Sequence, residues 1–181
     1  MSTIKTLALI CGVVFLSACS SISETSVNNE QPVATIEKVV IEKIPEPVEY
    51  SGMELWSSCL HYVVIRNDEF VGYQPRYFDF DKSEPIEKAE KQMQCISDLL
   101  KDYPEQIMEI RGYADIKGTE RYNLLLSAKR SAFVVKELLT LGVPNKQLSS
   151  IAVGESEPVN KNSTEEERQL NRKVEFVLIN E

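Results

Sequence analysis

The chain has 181 residues, of which 43% are hydrophobic and 27% are charged, and its formal net charge at pH 7 is -8. This composition is ordinary for a globular protein, and the length suits one domain with a tail. The acidic charge disfavours nucleic acid as a partner, because neutralising phosphates requires a basic face.

The first 18 residues have the pattern of an export signal. Lys5 supplies a positive charge, and the apolar run from Leu7 to Leu16 is too short to span a bilayer comfortably. Leu-Ser-Ala-Cys, ending at Cys19, resembles the lipobox of bacterial lipoproteins. This resemblance implies cleavage before Cys19 and attachment of acyl chains such as palmitate to it. The alternative is an ordinary secretory signal followed by a chance cysteine.

The residue after the cysteine bears on location. An Asp there would resemble an inner-membrane retention signal, so Ser20 favours the outer membrane, with the protein domain in the periplasm. Residues 19–50 are predicted to be a lipidated cysteine and a flexible tether, because Ser, Asn, Glu and Pro dominate the start of this segment.

Residues 51–75 form an extension whose structure the sequence leaves uncertain. The pattern predicts a strand at 60–65 and a turn at 67–69. Trp56 is predicted to pack this extension onto the rest of the protein.

Two further cysteines, Cys59 and Cys95, remain in the mature chain. An oxidising periplasm permits a disulfide between them. Two buried thiols are the alternative, because a free cysteine behaves as a small hydrophobic residue.

From Arg76 onward, strand-like and helix-like hydrophobic patterns alternate. The predicted elements are a strand at 77–80, a helix from Ser83 to about residue 103, a strand at 107–113, a helix from Thr119 to about residue 141, and strands at 148–153 and 174–178. The order β-α-β-α-β-β indicates an α+β fold, because the crossovers lay both helices on one face of a small mixed sheet.

Six motifs in this region resemble the OmpA C-terminal domain family, which includes the peptidoglycan-associated lipoproteins. They are Phe-Asp-Phe-Asp at 78–81, Gly-Tyr-Ala-Asp at 112–115, the Tyr-Asn, Leu-Ser and Arg positions within 122–130, Gly-Val-Pro at 142–144, Gly-Glu-Ser at 154–156 and Asn-Arg-Lys-Val-Glu at 171–175. The resemblance covers about residues 76–181. It implies non-covalent binding of peptidoglycan at the diaminopimelate of its stem peptide, without a cofactor.

The resemblance also implies roles for single residues. Asp115 would pair with the free ammonium of diaminopimelate, and Arg130 with its carboxylate, because a guanidinium offers a planar fork to a carboxylate. The other candidates are Thr119 at the helix start, Asn123 on the helix face of Arg130, and Asn171 and Arg172, which would flank the pocket.

Each candidate also has a purely structural interpretation. Asp115 could cap a turn, Arg130 could pair with Asp115 or a surface acid, and Asn123 could bond the preceding loop. Arg172 could tie down the acidic loop at residues 155–157 instead of contacting a ligand.

Two positions depart from the family pattern. Tyr113 stands where the family usually has His, so a hydroxyl replaces an imidazole. Lys173 stands where a second Arg is usual, which keeps the charge but loses the fork. These departures bear on affinity and leave the Asp115 and Arg130 pair intact.

The sequence disfavours an enzyme. His61 is the only histidine, so metal and triad templates lack partners. With 28 acidic residues the composition permits a pair of glycosidase carboxylates, yet no acid has a setting that raises its pKa.

The second hypothesis for the function is a subunit of an envelope complex of the motor, secretion or Tol–Pal type. Its OmpA-like domain would serve only as a wall anchor, with a partner surface around Trp56 and Val63.

Overall fold

The computed structural model describes residues 46–50 and 52–179. The predicted signal segment, the lipidated Cys19 and the tether up to residue 45 lie outside the described residues. None of the described helices combines the length and apolarity needed to cross a bilayer. The elements are β1 (Pro47–Tyr50), β2 (Met53–Trp56), β3 (Val63–Arg66), β4 (Glu69–Tyr77), α1 (Glu90–Asp102), β5 (Ile107–Tyr113), α2 (Glu120–Thr140), β6 (Leu148–Gly154), α3 (Glu165–Asn171) and β7 (Lys173–Ile179), with 3-10 turns at Ser57–Tyr62 and Asn145–Gln147.

The main sheet has the strand order β3-β4-β7-β5-β6. Strands β5 and β6 are parallel, and the other neighbours are antiparallel. The predicted α+β fold with a mixed sheet and helices is therefore confirmed. The C-terminal strand β7 is inserted between β4 and β5, which places it at the centre of the sheet.

One hydrophobic core joins the sheet to helices α1 and α2. Side chains alternate along a strand and recur every three or four residues along a helix, so one face of each element can turn towards the core. The buried residues of these elements include Met93, Ile96 and Leu100 of α1, Val134 and Leu138 of α2, Met108 and Ile110 of β5, and Val174, Phe176 and Leu178 of β7.

The first strand of the motif region lies earlier than predicted. The pattern predicts a strand at 77–80, whereas β4 ends at Tyr77 and Phe78 makes only an isolated bridge with Pro85. Phe78 donates its N–H to the carbonyl of Arg172 at 2.8 Å, and its ring is fully buried. The chain leaves the sheet here, and Asp81 adopts a left-handed φ of 58°.

Helix α1 also begins later than predicted, at Glu90 instead of just after Ser83. The intervening segment runs back along the end of β4, because Ile86 donates its N–H to the carbonyl of Tyr77 at 3.0 Å. This long-range pairing outweighs the local capping signal, and Ala89 takes the N-cap position without a side-chain hydrogen bond.

The extension belongs to the same sheet as the residues that follow it. Strands β3 and β4 form an antiparallel hairpin, and β4 pairs with β7. The hairpin turn contains Asn67 and Asp68, whose φ values of 52° and 62° are left-handed, as the predicted turn chemistry allows. The strand predicted at 60–65 is displaced, because residues 57–62 form a 3-10 helix.

The N-terminal hairpin corrects two further expectations. Pro47–Tyr50, which the sequence places in the tether, forms β1 against β2. Trp56 is not a packing anchor, since 43% of its surface is exposed. Met53 and Leu55 are buried instead, because alternate residues of a strand point to opposite faces.

A disulfide joins Cys59 to Cys95, whose Cα atoms lie 5.7 Å apart. It links the 3-10 turn of the extension to helix α1.

Replacing both cysteines by serine should lower the free energy of unfolding by about 3–4 kcal/mol, because the bond closes a loop of 36 residues in the unfolded chain. Urea denaturation without reductant measures the difference. A double variant as stable as the wild type would contradict this expectation.

Gly112 allows α2 to touch the sheet. A Cβ added at Gly112 would overlap the carbonyl oxygen of Ser127, which is backbone and has little freedom to move. Gly112→Ala should therefore destabilise the protein by about 1–3 kcal/mol. The control is Gly52→Ala, where a Cβ meets nothing within 4 Å and only the φ of 77° opposes the change. Thermal unfolding measures both variants, and a Gly112→Ala variant as stable as the wild type would contradict the steric explanation.

Candidate functional site

Four of the six candidate residues meet where β5 ends and α2 begins. Asp115, Asn123, Arg130 and Arg172 line one narrow pocket, together with Phe80, Asp81 and Tyr122. Its free volume of about 10 Å³ is close to the minimum for one water molecule. A ligand larger than water therefore has to push these side chains apart to enter.

Asp115 is held from two sides. One carboxylate oxygen accepts the N–H of Lys117 at 2.8 Å, which is the turn-capping bond considered from the sequence. The other oxygen forms an ion pair with Arg172 at 2.8 Å, and both side chains are nearly fully buried. The internal partner of Asp115 is therefore Arg172, whereas the sequence places Arg130 opposite it.

Arg130 is completely buried and has an unusual set of partners. Its guanidinium donates to the backbone carbonyls of Lys82, Tyr113 and Asp79 at 2.8, 2.7 and 3.1 Å. It also lies over the ring of Phe78, with 5.2 Å from Cζ to the ring centroid. Among the described residues, no carboxylate lies within ion-pair distance of this guanidinium.

Burial lowers the pKa of the Arg130 guanidinium to about 10, and the nearby charge of Asp115 only partly opposes the shift. A guanidinium has five N–H donors. The three carbonyls occupy three of these donors, and two are left for a carboxylate from outside. This geometry favours an anionic group of a ligand next to Arg130.

Asn123 and Thr119 hold the N-terminal end of α2 in place. Asn123 is buried and donates to the backbone carbonyl of Asp115 at 2.9 Å and to the carboxylate of Glu155. Its side chain thus joins the strand end to the 154–157 loop. Thr119 caps α2 by accepting the N–H of Tyr122 at 3.2 Å. Thr119 does not line the pocket.

Asn171 and Arg172 have different surroundings. Asn171 is buried among Asn160, Asn162 and Val159, where it organises the loop before α3 and does not line the pocket. Arg172 lines the pocket and also pairs with Glu165 at 2.8 Å. The second acid that Arg172 binds, besides Asp115, therefore comes from α3 and not from the 155–157 loop.

The two residues that depart from the family pattern form a separate cluster. Tyr113 donates its hydroxyl to Glu175 at 3.0 Å, and Lys173 bonds the other oxygen of the same carboxylate. The Lys173 ammonium lies 5.0 Å from the centroid of the Tyr113 ring. Neither side chain lines the pocket, and Tyr113 reaches the pocket only through its carbonyl.

Comparison with known proteins places the chain in a family. The model of the OmpA family matches residues 77–172, just over half of the chain. The chain belongs to the OmpA family. Outer membrane porin F of Pseudomonas aeruginosa is 38% identical over 100 residues, which cover 54% of this chain and 28% of that protein. The peptidoglycan-associated lipoprotein of Agrobacterium fabrum is 34% identical over 83 residues, 46% of this chain and 47% of that protein.

A solved structure of the OmpA family resembles this one. The crystal structure of the peptidoglycan-associated lipoprotein from Burkholderia pseudomallei superposes with a TM-score of 0.57 at 31% identity, covering 59% of this chain and 90% of that chain. The two curated relatives are longer than the matched part, so the chain spans less than half of each. The shared part is the OmpA-like domain that contains the pocket.

The Tyr113 cluster predicts a measurable pH dependence. Burial, assisted by the charge of Glu175, raises the pKa of Tyr113 from 10.0 to about 12. The neutral phenol of Tyr113 is favoured in the folded state. The raised pKa therefore adds to the free energy of unfolding in full below pH 10, and this addition is lost as the pH rises towards 12. The stability difference between wild type and Tyr113→Phe should shrink over that range, and the Tyr113 phenolate band should appear near pH 12. A phenolate midpoint near 10, found by subtracting the variant's absorbance titration, would contradict this.

Proposed function

We propose that this protein binds peptidoglycan non-covalently through the diaminopimelate of the stem peptide. In this proposal Asp115 accepts the free ammonium of diaminopimelate, and Arg130 binds its carboxylate. Asn123 and Arg172 flank the ligand, while Thr119 and Asn171 hold the helix start and the neighbouring loop in place.

The observation that carries the proposal is the buried guanidinium of Arg130 without a carboxylate partner among the described residues. Only backbone carbonyls contact it, and its depressed pKa reflects the unfavourable burial of the charge. A ligand carboxylate would supply the missing negative charge in a site where charge-assisted hydrogen bonds are strong. The names of relatives in the family, peptidoglycan-associated lipoprotein and peptidoglycan-binding protein, support the same ligand.

The wider role that we propose is a tether between the outer membrane and the cell wall. Lipid on Cys19 would anchor the chain in the outer membrane, and the domain would grip the wall from the periplasmic side. Two or more acyl chains hold a protein firmly at a membrane, whereas one chain binds only marginally.

A second candidate is an envelope complex in which the domain is only the anchor. The exposed indole of Trp56 favours this idea, because a solvent-exposed tryptophan is a common contact residue at protein interfaces. Val63 is half-buried, so the exposed apolar surface is smaller than the sequence suggests. The wall-binding tether is therefore the better supported of the two functions.

Sedimentation with purified peptidoglycan sacculi tests the primary proposal. Asp115→Asn keeps the shape of the side chain but removes the charge that would meet the ammonium and that pairs with Arg172, so the stability of the variant is measured together with its binding. The substitution should weaken binding at least about tenfold, the equivalent of one charge-assisted hydrogen bond. The matched control is Asp102→Asn, an exposed acid at the end of α1, which should bind as the wild type does.

The guanidinium is tested separately, because Arg130→Ala would leave three backbone carbonyls without donors and so weaken the fold. Arg130→Lys keeps the charge but loses the fork, and it should bind sacculi less well. Lys129→Ala, an exposed cation beside it on α2, is the control for lost charge. Circular dichroism shows whether each variant is folded. Undiminished sedimentation by folded Asp115→Asn and Arg130→Lys would refute the assignment.

A further inference from the structure

A second and larger groove lies beside the pocket. It has a volume of about 770 Å³ and is bounded by the end of β4, the segment before α1, and α3. Its walls include Tyr62, Tyr77, Ile86 and Leu170. This volume would accommodate a pair of sugar rings, whereas the pocket at Asp115 holds about one water molecule.

The groove and the pocket share one wall. Gln169 and Leu170 of α3 line the groove, and Arg172, directly after α3, lines the pocket. Gln169 and Arg172 both donate to the carbonyl of Phe78, at 3.0 and 3.2 Å. Leu170 and Arg172 are two residues apart, so their Cα atoms are separated by less than about 8 Å. The groove and the pocket therefore lie on either side of the C-terminal end of α3.

The charges along the groove are balanced. Lys88 and Lys91 are matched by Glu87 and Glu90. The guanidinium of Arg76 at the base of the groove is bound by Glu137 and by the carbonyl of Glu87. No net charge is left to attract a phosphate or a strongly acidic polymer, so the groove suits a neutral, polar ligand.

The exposed apolar side chains of the groove indicate that its ligand also has an apolar face. Tyr77, Ile86 and Leu170 are 37%, 51% and 48% exposed, respectively. Next to them, the side chains of Gln74, Lys88 and Lys91 can bond hydroxyl or amide groups. A pyranose ring has an apolar face of C–H groups and a rim of hydroxyls, so N-acetylated sugars match this mixture of surfaces.

We infer that the groove binds the N-acetylated disaccharide of the glycan strand whose stem peptide occupies the Asp115 pocket. This inference rests on the proposed function and adds a second binding site for the same polymer. The peptide between the sugar and the diaminopimelate spans about 7 Å when it is extended over about two residues. This peptide would have to cross the end of α3, where Leu170 lines the groove and Arg172 lines the pocket. The groove would orient the glycan strand, while the pocket would select the peptide.

Two soluble ligands test the inference on the purified protein by isothermal titration calorimetry. One is a stem tripeptide ending in diaminopimelate, and the other is the same tripeptide attached to its disaccharide. The wild type should bind the disaccharide ligand about tenfold more tightly, because the sugar buries additional surface in the groove. In the double variant Ile86→Ser and Leu170→Ser, the two ligands should bind with about the same affinity. The affinity for the tripeptide should stay as in the wild type.

Leu139→Ser is the matched control. Leu139 is 41% exposed on α2 and does not line the groove, so this variant should keep the full advantage of the disaccharide ligand. Equal affinity of the wild type for both ligands would overturn the inference while leaving the proposed function in place. An equal loss for both ligands in the double variant would overturn it as well. Failure of the wild type to bind either ligand would overturn the proposed function together with the inference.

Discussion

The close approach of α2 to the sheet is the contact on which the rest of the site depends. Gly112 has no side chain, so the backbone of α2 at Ser127 rests directly on β5. The hydroxyl of Ser127 accepts the N–H of Gly154 at 3.0 Å and fixes β6 to the same helix. Arg130 lies one turn further along α2, which brings its guanidinium to the carbonyl of Tyr113. A helix held farther from the sheet could not make this contact.

Around that contact, the pocket gathers two buried guanidinium groups and one buried carboxylate. Asp115 neutralises Arg172, whereas Arg130 is stabilised only by carbonyl dipoles and by the ring of Phe78. Burying a charge without a counter-ion is unfavourable, and such a group persists where surrounding structure holds it. The three carbonyls thus hold the guanidinium of Arg130 in place before an anion arrives, so the movement that admits a ligand has to come from the other side chains of the narrow pocket.

Part of the architecture could be predicted from local patterns, because α1 and β7 have regular hydrophobic periods. The family resemblance implied Asp115, Asn123 and Arg130, and these three residues line one pocket. The pattern missed α3, a seven-residue helix with little apolar content, although the capping box between Thr164 and Glu167 was a readable signal. The pairing of Arg172 with Asp115 was not readable, because it depends on where β7 enters the sheet.

The disulfide also determines how a pulling force would pass through the domain. Strands β3 and β4 lie entirely within the loop that Cys59 and Cys95 close. Tension arriving from the N-terminal side therefore crosses from Cys59 into α1 through a covalent bond, and the hairpin between them is bypassed. The disulfide prevents the 36 residues of that loop, about 120 Å of extended chain, from being extended by the force. Under oxidising conditions, force would reach the helix before it could peel an edge strand from the sheet.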